Sequence, residues 1–171
     1  MSKEDFSTPA EFHNRLSTYF NAAVALPLLP FIWLFLEIKN DEYEGLVRDP
    51  LLVQIIGYAT TALAGVLVLL GYNRMKRITL NNEGTLLARL KVYLAAKKQL
   101  YAAVAIAAAL MALGLWLSAA AVIIIGYVLL LFYLTFQMPT PKRYVKELAL
   151  EAEEKDIVLN KKDQRLERDS H

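Results

Sequence analysis

Charged side chains vanish from three stretches of this chain: Leu16 to Leu36, Leu51 to Asn73, and Gln99 to Pro141. A helix crossing a hydrocarbon core of about 30 Å needs roughly 20 apolar residues at about 1.5 Å each. The first two stretches match one crossing apiece, and the third has roughly twice the required length. The pattern predicts an all-α, polytopic membrane protein, a four-transmembrane-helix bundle. Its spans are expected at about 16–37, 51–73, 99–117 and 121–138, so that 1–138 forms the membrane domain and 139–171 a cytoplasmic helical tail.

Local signals mark where the helices begin. Thr8-Pro9-Ala10-Glu11 places a cap, a proline at the first helical position and an acid at the third. Phe12, Leu16 and Phe20 then form an apolar stripe. Pro27 and Pro30 interrupt the first span; each lacks a donor and crowds the carbonyl four residues earlier, so a helix kink is expected there. Asp49-Pro50 opens the second helix, where Gly57, Thr61 and Gly65 recur every four residues as a predicted packing face. Asn81-Asn82-Glu83-Gly84 reads as a turn. From Thr85 a helix with Leu86, Leu87, Leu90 and Leu94 on one side is expected to continue into the third span.

That third span is rich in alanine and the fourth in Ile, Leu and Phe. Small side chains favour contact with other helices, so the third is predicted to be central and the fourth to expose more surface to lipid. The turn between them, near Trp116 to Ala120, is imposed by length alone, since alanine does not break helices. Pro139-Thr140-Pro141 ends the membrane section. A C-terminal cytoplasmic amphipathic helix through Tyr144, Val145 and Leu148 follows, its polar face including Glu147 and Glu151. The tail beyond Asn160 is polar and expected to be frayed.

The composition is 56% hydrophobic and 21% charged over 171 residues, with a mean hydropathy of +0.33. With no cysteine, thiolate chemistry, disulfides and cysteine metal sites are excluded. The acids before the first apolar stretch, and its length, argue for a retained span and against a cleaved signal peptide. Of the 19 Lys and Arg, only Lys39 and Arg48 lie between the first two spans. With four spans, all the others fall on one face. The positive-inside rule then puts the N-terminus, the basic connector and the C-terminus in the cytoplasm.

Few residues suggest chemistry. The polar groups within the spans, such as Asn21, Gln54, Thr60 and Thr61, do not ionise near neutral pH and offer no proton relay. Thr60 and Thr61 are expected to bond back to their own helix. Asp41, Glu42 and Glu44 lack the spacing of a calcium site, and His13 and His171 are far apart in sequence. No cofactor or metal is expected. The connector residues Arg74, Lys76, Arg77, Arg89, Lys91, Lys97 and Lys98 are candidate anionic-lipid contacts. Without an aromatic platform they do not point to nucleic acid.

Leu90-Lys91-Val92-Tyr93, two closely joined spans, and the run Pro139-Thr140-Pro141-Lys142-Arg143-Tyr144-Val145-Lys146-Glu147-Leu148 resemble a class of small four-span bacterial membrane proteins. The likeness covers roughly the C-terminal half. This chain lacks the charged residue that such proteins can carry in the third span. The resemblance implies a bacterial inner (plasma) membrane and brings no active residues.

The expected partners are therefore the bilayer and other membrane subunits or further copies of the chain. The leading expectation is a non-catalytic accessory or scaffold protein of a larger membrane assembly, not an enzyme. The alternative is a transport or channel component acting as a homo-oligomer around the Pro27–Pro30 kink.

Overall fold

The computed structural model describes residues 6–80 and 84–160. Among these the fold is all-α, with helices α1 (Pro9–Lys39), α2 (Pro50–Leu80), α3 (Leu86–Ser118), α4 (Ala121–Phe136), α5 (Pro141–Glu147) and α6 (Ala152–Asn160). Helices α1, α2 and α3 are each long and apolar enough to cross a membrane; α4 with α5 makes a fourth candidate, bent by 82° at their junction.

The starts of α1 and α2 follow their side-chain signals, whereas Thr140, expected to cap the helix that begins at Pro141, makes no side-chain cap bond. Thr8 Oγ1 accepts from the Glu11 N–H at 3.2 Å, and Glu11 accepts in return from the Ser7 N–H at 2.7 Å. Asp49 Oδ1 accepts from the N–H groups of Leu51 and Leu52 ahead of α2. Helix α4 stops at Phe136, earlier than the expected span end at 138. The Gln137 N–H folds back to the carbonyls of Leu134 and Tyr133, and Met138 precedes a proline, which disfavours helical dihedrals there. The expected tail helix divides into α5 and α6 at Ala149, where φ is +48°. Of the predicted turn at 81–84, only Gly84, with φ +130°, lies within the described residues. The tail beyond Asn160 lies outside them.

Helix α3 is the axle of the assembly, touching α1, α2 and α4. Half of its apolar window is buried (50%), against 22% in α1 and 17% in α2. Alanines 96, 107, 108 and 112 lie within this core and allow close approach on several sides. Helix α4 does expose Ile125, Leu129, Phe132 and Phe136. It shares that exposure with α1 and α2.

The packing face of α2 differs from the four-residue repeat in the sequence. Gly57, Thr61, Ala64, Val68, Gly71 and Met75 form the inward seam, alternating steps of four and three. On α4 the seam is Ala120, Ile123, Tyr127, Leu130, Leu134 and Gln137, with the same alternation. A mean step of about 3.5 keeps a seam on one partner, whereas strict steps of four drift around a helix of about 3.6 residues per turn. Gly65 therefore turns away. A Cβ on Gly57 would lie 2.7 Å from Val122 and 2.9 Å from Ala120, while one on Gly65 meets nothing within 4 Å. Gly126 gives Thr61 and Met111 room in the same manner. The Thr61 hydroxyl is buried there and makes no hydrogen bond among the described residues, contrary to the expected bond to its own helix.

The two ends of the bundle are built differently. At one, the N–H groups of Leu46 and Val47 both donate to Leu117 O at 2.9 Å, and the Tyr43 hydroxyl donates to Trp116 O. The acidic loop thus lies across the α3–α4 turn. Gly45, at φ +89°, comes so close that a Cβ would stand 3.0 Å from Ser118 C. At the other end, Phe6, Phe12 and Leu16 pack with Leu90, Tyr93, Tyr144, Leu148 and Val158.

Substituting Gly57→Leu is expected to lower thermal stability in detergent by about 1–3 kcal/mol through overpacking, with Gly65→Leu near neutral. Equal losses would refute the seam. Ala119 ends α3 in the left-handed region at φ +48°. Ala119→Gly should raise stability by about 1 kcal/mol in the same measurement.

Candidate functional site at the basic end

A buried polar network joins α3 to the α4–α5 junction. Tyr93, Lys97 and Tyr101 lie at successive four-residue steps and share one face of α3. The side chain of Lys97 is 1% exposed. Its ammonium lies 3.0 Å from Glu147 Oε2, donates to Gln137 Oε1 at 3.3 Å, and sits 5.4 Å from the centre of the Tyr93 ring. The Tyr93 hydroxyl donates to the same Glu147 oxygen at 2.7 Å. Arg143 closes the circuit, donating from Nε to Glu147 Oε1 at 2.6 Å and from Nη2 to Gln137 Oε1 at 3.0 Å. Tyr101 reaches the Gln137 carbonyl at 3.1 Å.

The sequence builds this geometry locally. Pro141 begins α5 one turn before Tyr144 and Val145, which turn into the aromatic cluster; Phe12 meets Tyr144 edge-on with ring centres 5.1 Å apart. Anchoring those two side chains places Arg143 and Glu147, four apart on the same helix, against α3. A second clamp lies beside it. Arg89 holds both carboxylate oxygens of Glu154 at 2.9 and 3.1 Å and donates to the Leu148 carbonyl. The planar guanidinium lets Nη1 serve the carboxylate while Nη2 serves the carbonyl.

Burial works to raise the Glu147 carboxyl, but Lys97, the Tyr93 hydroxyl and Arg143 outweigh it and hold it below the usual carboxylate value. A lowered folded value means that the contribution is complete at neutral pH. It is lost as pH falls through that value.

Several expected roles change. Lys97, a candidate anionic-lipid contact by sequence, is buried and paired internally, so it leaves that set. Arg89 is half-buried and serves the second clamp. Arg74, Lys76, Arg77, Lys91 and Lys98 remain exposed. Glu147, expected on the polar face of the tail, instead points at α3. Sequence reasoning misses Tyr93, Tyr101 and Gln137 as members of a site. Their signal is present in the four-residue spacing of Tyr93, Lys97 and Tyr101 and in the Arg143–Glu147 pair.

Pro27 and Pro30 lie within α1, which is helical throughout Pro9–Lys39. They line an open apolar groove of about 560 Å3 between α1 and α3, floored by Ala105, Ala109 and Ala112 and flanked by Trp33 and Trp116. Among the described residues no three His, Asp or Glu side chains gather as a metal site. Comparison with protein-family models, curated proteins and solved structures finds no match to this chain.

Replacing Glu147 with Gln strands the buried Lys97 charge. The expected loss is about 3 kcal/mol, with a smaller loss when Lys97→Met and Glu147→Leu are combined. In thermal unfolding across pH, the native protein should lose stability as pH falls through and below the usual carboxylate range, and Glu147→Gln should flatten that dependence. An unchanged acid profile would show that the carboxylate is not the one being titrated.

Proposed function

We propose that the chain is a four-span bundle of a bacterial inner membrane, with its N-terminus, its basic connector and its C-terminal helices in the cytoplasm. It acts as a non-catalytic accessory or scaffold subunit of a larger membrane assembly. The placement of Lys and Arg supports the orientation. All but Lys39 and Arg48 of the 19 belong to segments other than the loop that crosses the α3–α4 turn.

The observation that carries the functional reading is the basic-end network. Acid–base catalysis requires titratable groups presented to a substrate. Here Lys97, Arg143 and Glu147 are engaged with one another, and Arg89 with Glu154. They fasten the short terminal helices into a fixed platform at the end of the bundle. A platform of this kind serves a partner by position.

Purification from native membranes in mild detergent should recover a second protein in stoichiometric amount. A lone, monodisperse monomer would overturn the reading. The orientation has its own test, since the chain has no native cysteine. A thiol probe that cannot cross membranes should label Glu44→Cys and spare Arg165→Cys in intact cells.

A further inference from the structure

The elbow between α4 and α5 combines three features that point beyond the platform role. First, α5 leaves α4 at 82°. If α4 crosses the bilayer, α5 lies almost in the plane of its surface, at the level where headgroups sit. Second, Thr140, Lys142, Arg143, Lys146 and Glu147 line an open depression of about 640 Å3 on this helix. Third, the chain reaching the elbow is apolar and outward-facing, with Phe132, Phe136 and Met138 at 62%, 73% and 55% exposure.

The charge balance of the depression favours an anion. Both oxygens of Glu147 are already occupied, one by Lys97 and Tyr93 and the other by Arg143. Lys142 and Lys146 are exposed, one turn apart, and form no ion pair among the described residues. A phosphate group offers charge-assisted acceptors for such donors. The adjoining phenylalanines distinguish a lipid from a soluble phosphate, because only a lipid brings an acyl chain to cover them.

We propose that this elbow binds an anionic phospholipid, with its phosphate on Lys142 and Lys146 and an acyl chain along Phe132 and Phe136. The exposed connector residues Arg74, Lys76 and Arg77 are not among those that line it. It rests on the reading that α4 spans the membrane.

The full chain, labelled with a fluorophore at Thr135→Cys, is reconstituted into vesicles containing brominated phosphatidylglycerol or brominated phosphatidylcholine. Quenching then reports which lipid lies beside the elbow. The expected result is a preference for phosphatidylglycerol that falls roughly fivefold for each of Lys142→Gln and Lys146→Gln. Arg143 is left intact because it belongs to the buried network. Arg74→Gln with Arg77→Gln should leave the preference unchanged; an equal fall there would assign it to the basic face at large and overturn the site. Displacement by millimolar inorganic phosphate would overturn the lipid assignment. Quenching by both lipids alike also refutes the site while leaving the four-span reading intact. Quenching by neither refutes the span itself.

Discussion

An ammonium group withdrawn from water at the edge of an apolar bundle must find a counter-charge, and here the constraint is met by Glu147. Desolvating a charge costs several kcal/mol unless hydrogen bonds and an opposite charge replace its hydration. Tyr93 and Glu147 are 54 positions apart in the chain, and their contact, together with Lys97, locates the end of α4, the bend after it and the first turn of α5. The aromatic cluster around Phe12 and Tyr144 closes over the same junction. Removing the carboxylate therefore affects more than one bond, because the two short helices and the amino-terminal segment share a single anchor.

Within the apolar section the determining factor is surface relief. Lipid is as apolar as leucine, so association there depends on close packing. Glycine and alanine supply it, with Gly57 against Ala120 and Val122, Gly71 against Ala103, and Gly114 against Thr60. Each pairing lets one backbone approach a neighbour, and all involve α3, α4 or the turn between them. Phe31 and Tyr127 add a stacked pair with ring centres 3.6 Å apart across α1 and α4. The central helix can be small because its neighbours carry the bulk.

The helical class and the main helices were legible in the sequence, since charge is seldom missing over span-length stretches except where lipid is the solvent. The caps at Thr8 and Asp49 were legible because capping chemistry is local. The fine register of α2 was not. Gly57, Thr61 and Gly65 look alike in composition, and only the direction of the partner helix selects Ala64 over Gly65. The network was hidden for a related reason. A lysine beside a membrane segment ordinarily faces water, and nothing near Lys97 in the chain reveals that α5 returns to cover it. The break at Ala119 also carries no residue signal; the left-handed alanine is held by its bond to the Leu115 carbonyl and by the loop crossing above it.

The early stop of α4 has a mechanical consequence. Its 16 residues extend only about 24 Å, several ångströms short of a typical hydrocarbon core, whereas α1 and α2 each have 31 residues. On the four-span reading, the shortfall on the α4 flank is met by thinning of the bilayer, by flanking side chains that reach to the interface, or by association with other helices. Such one-sided mismatch costs a fraction of a kcal/mol per Å. It gives the protein an energetic preference for membrane of reduced thickness, or for neighbours whose own short helices relieve the same deformation.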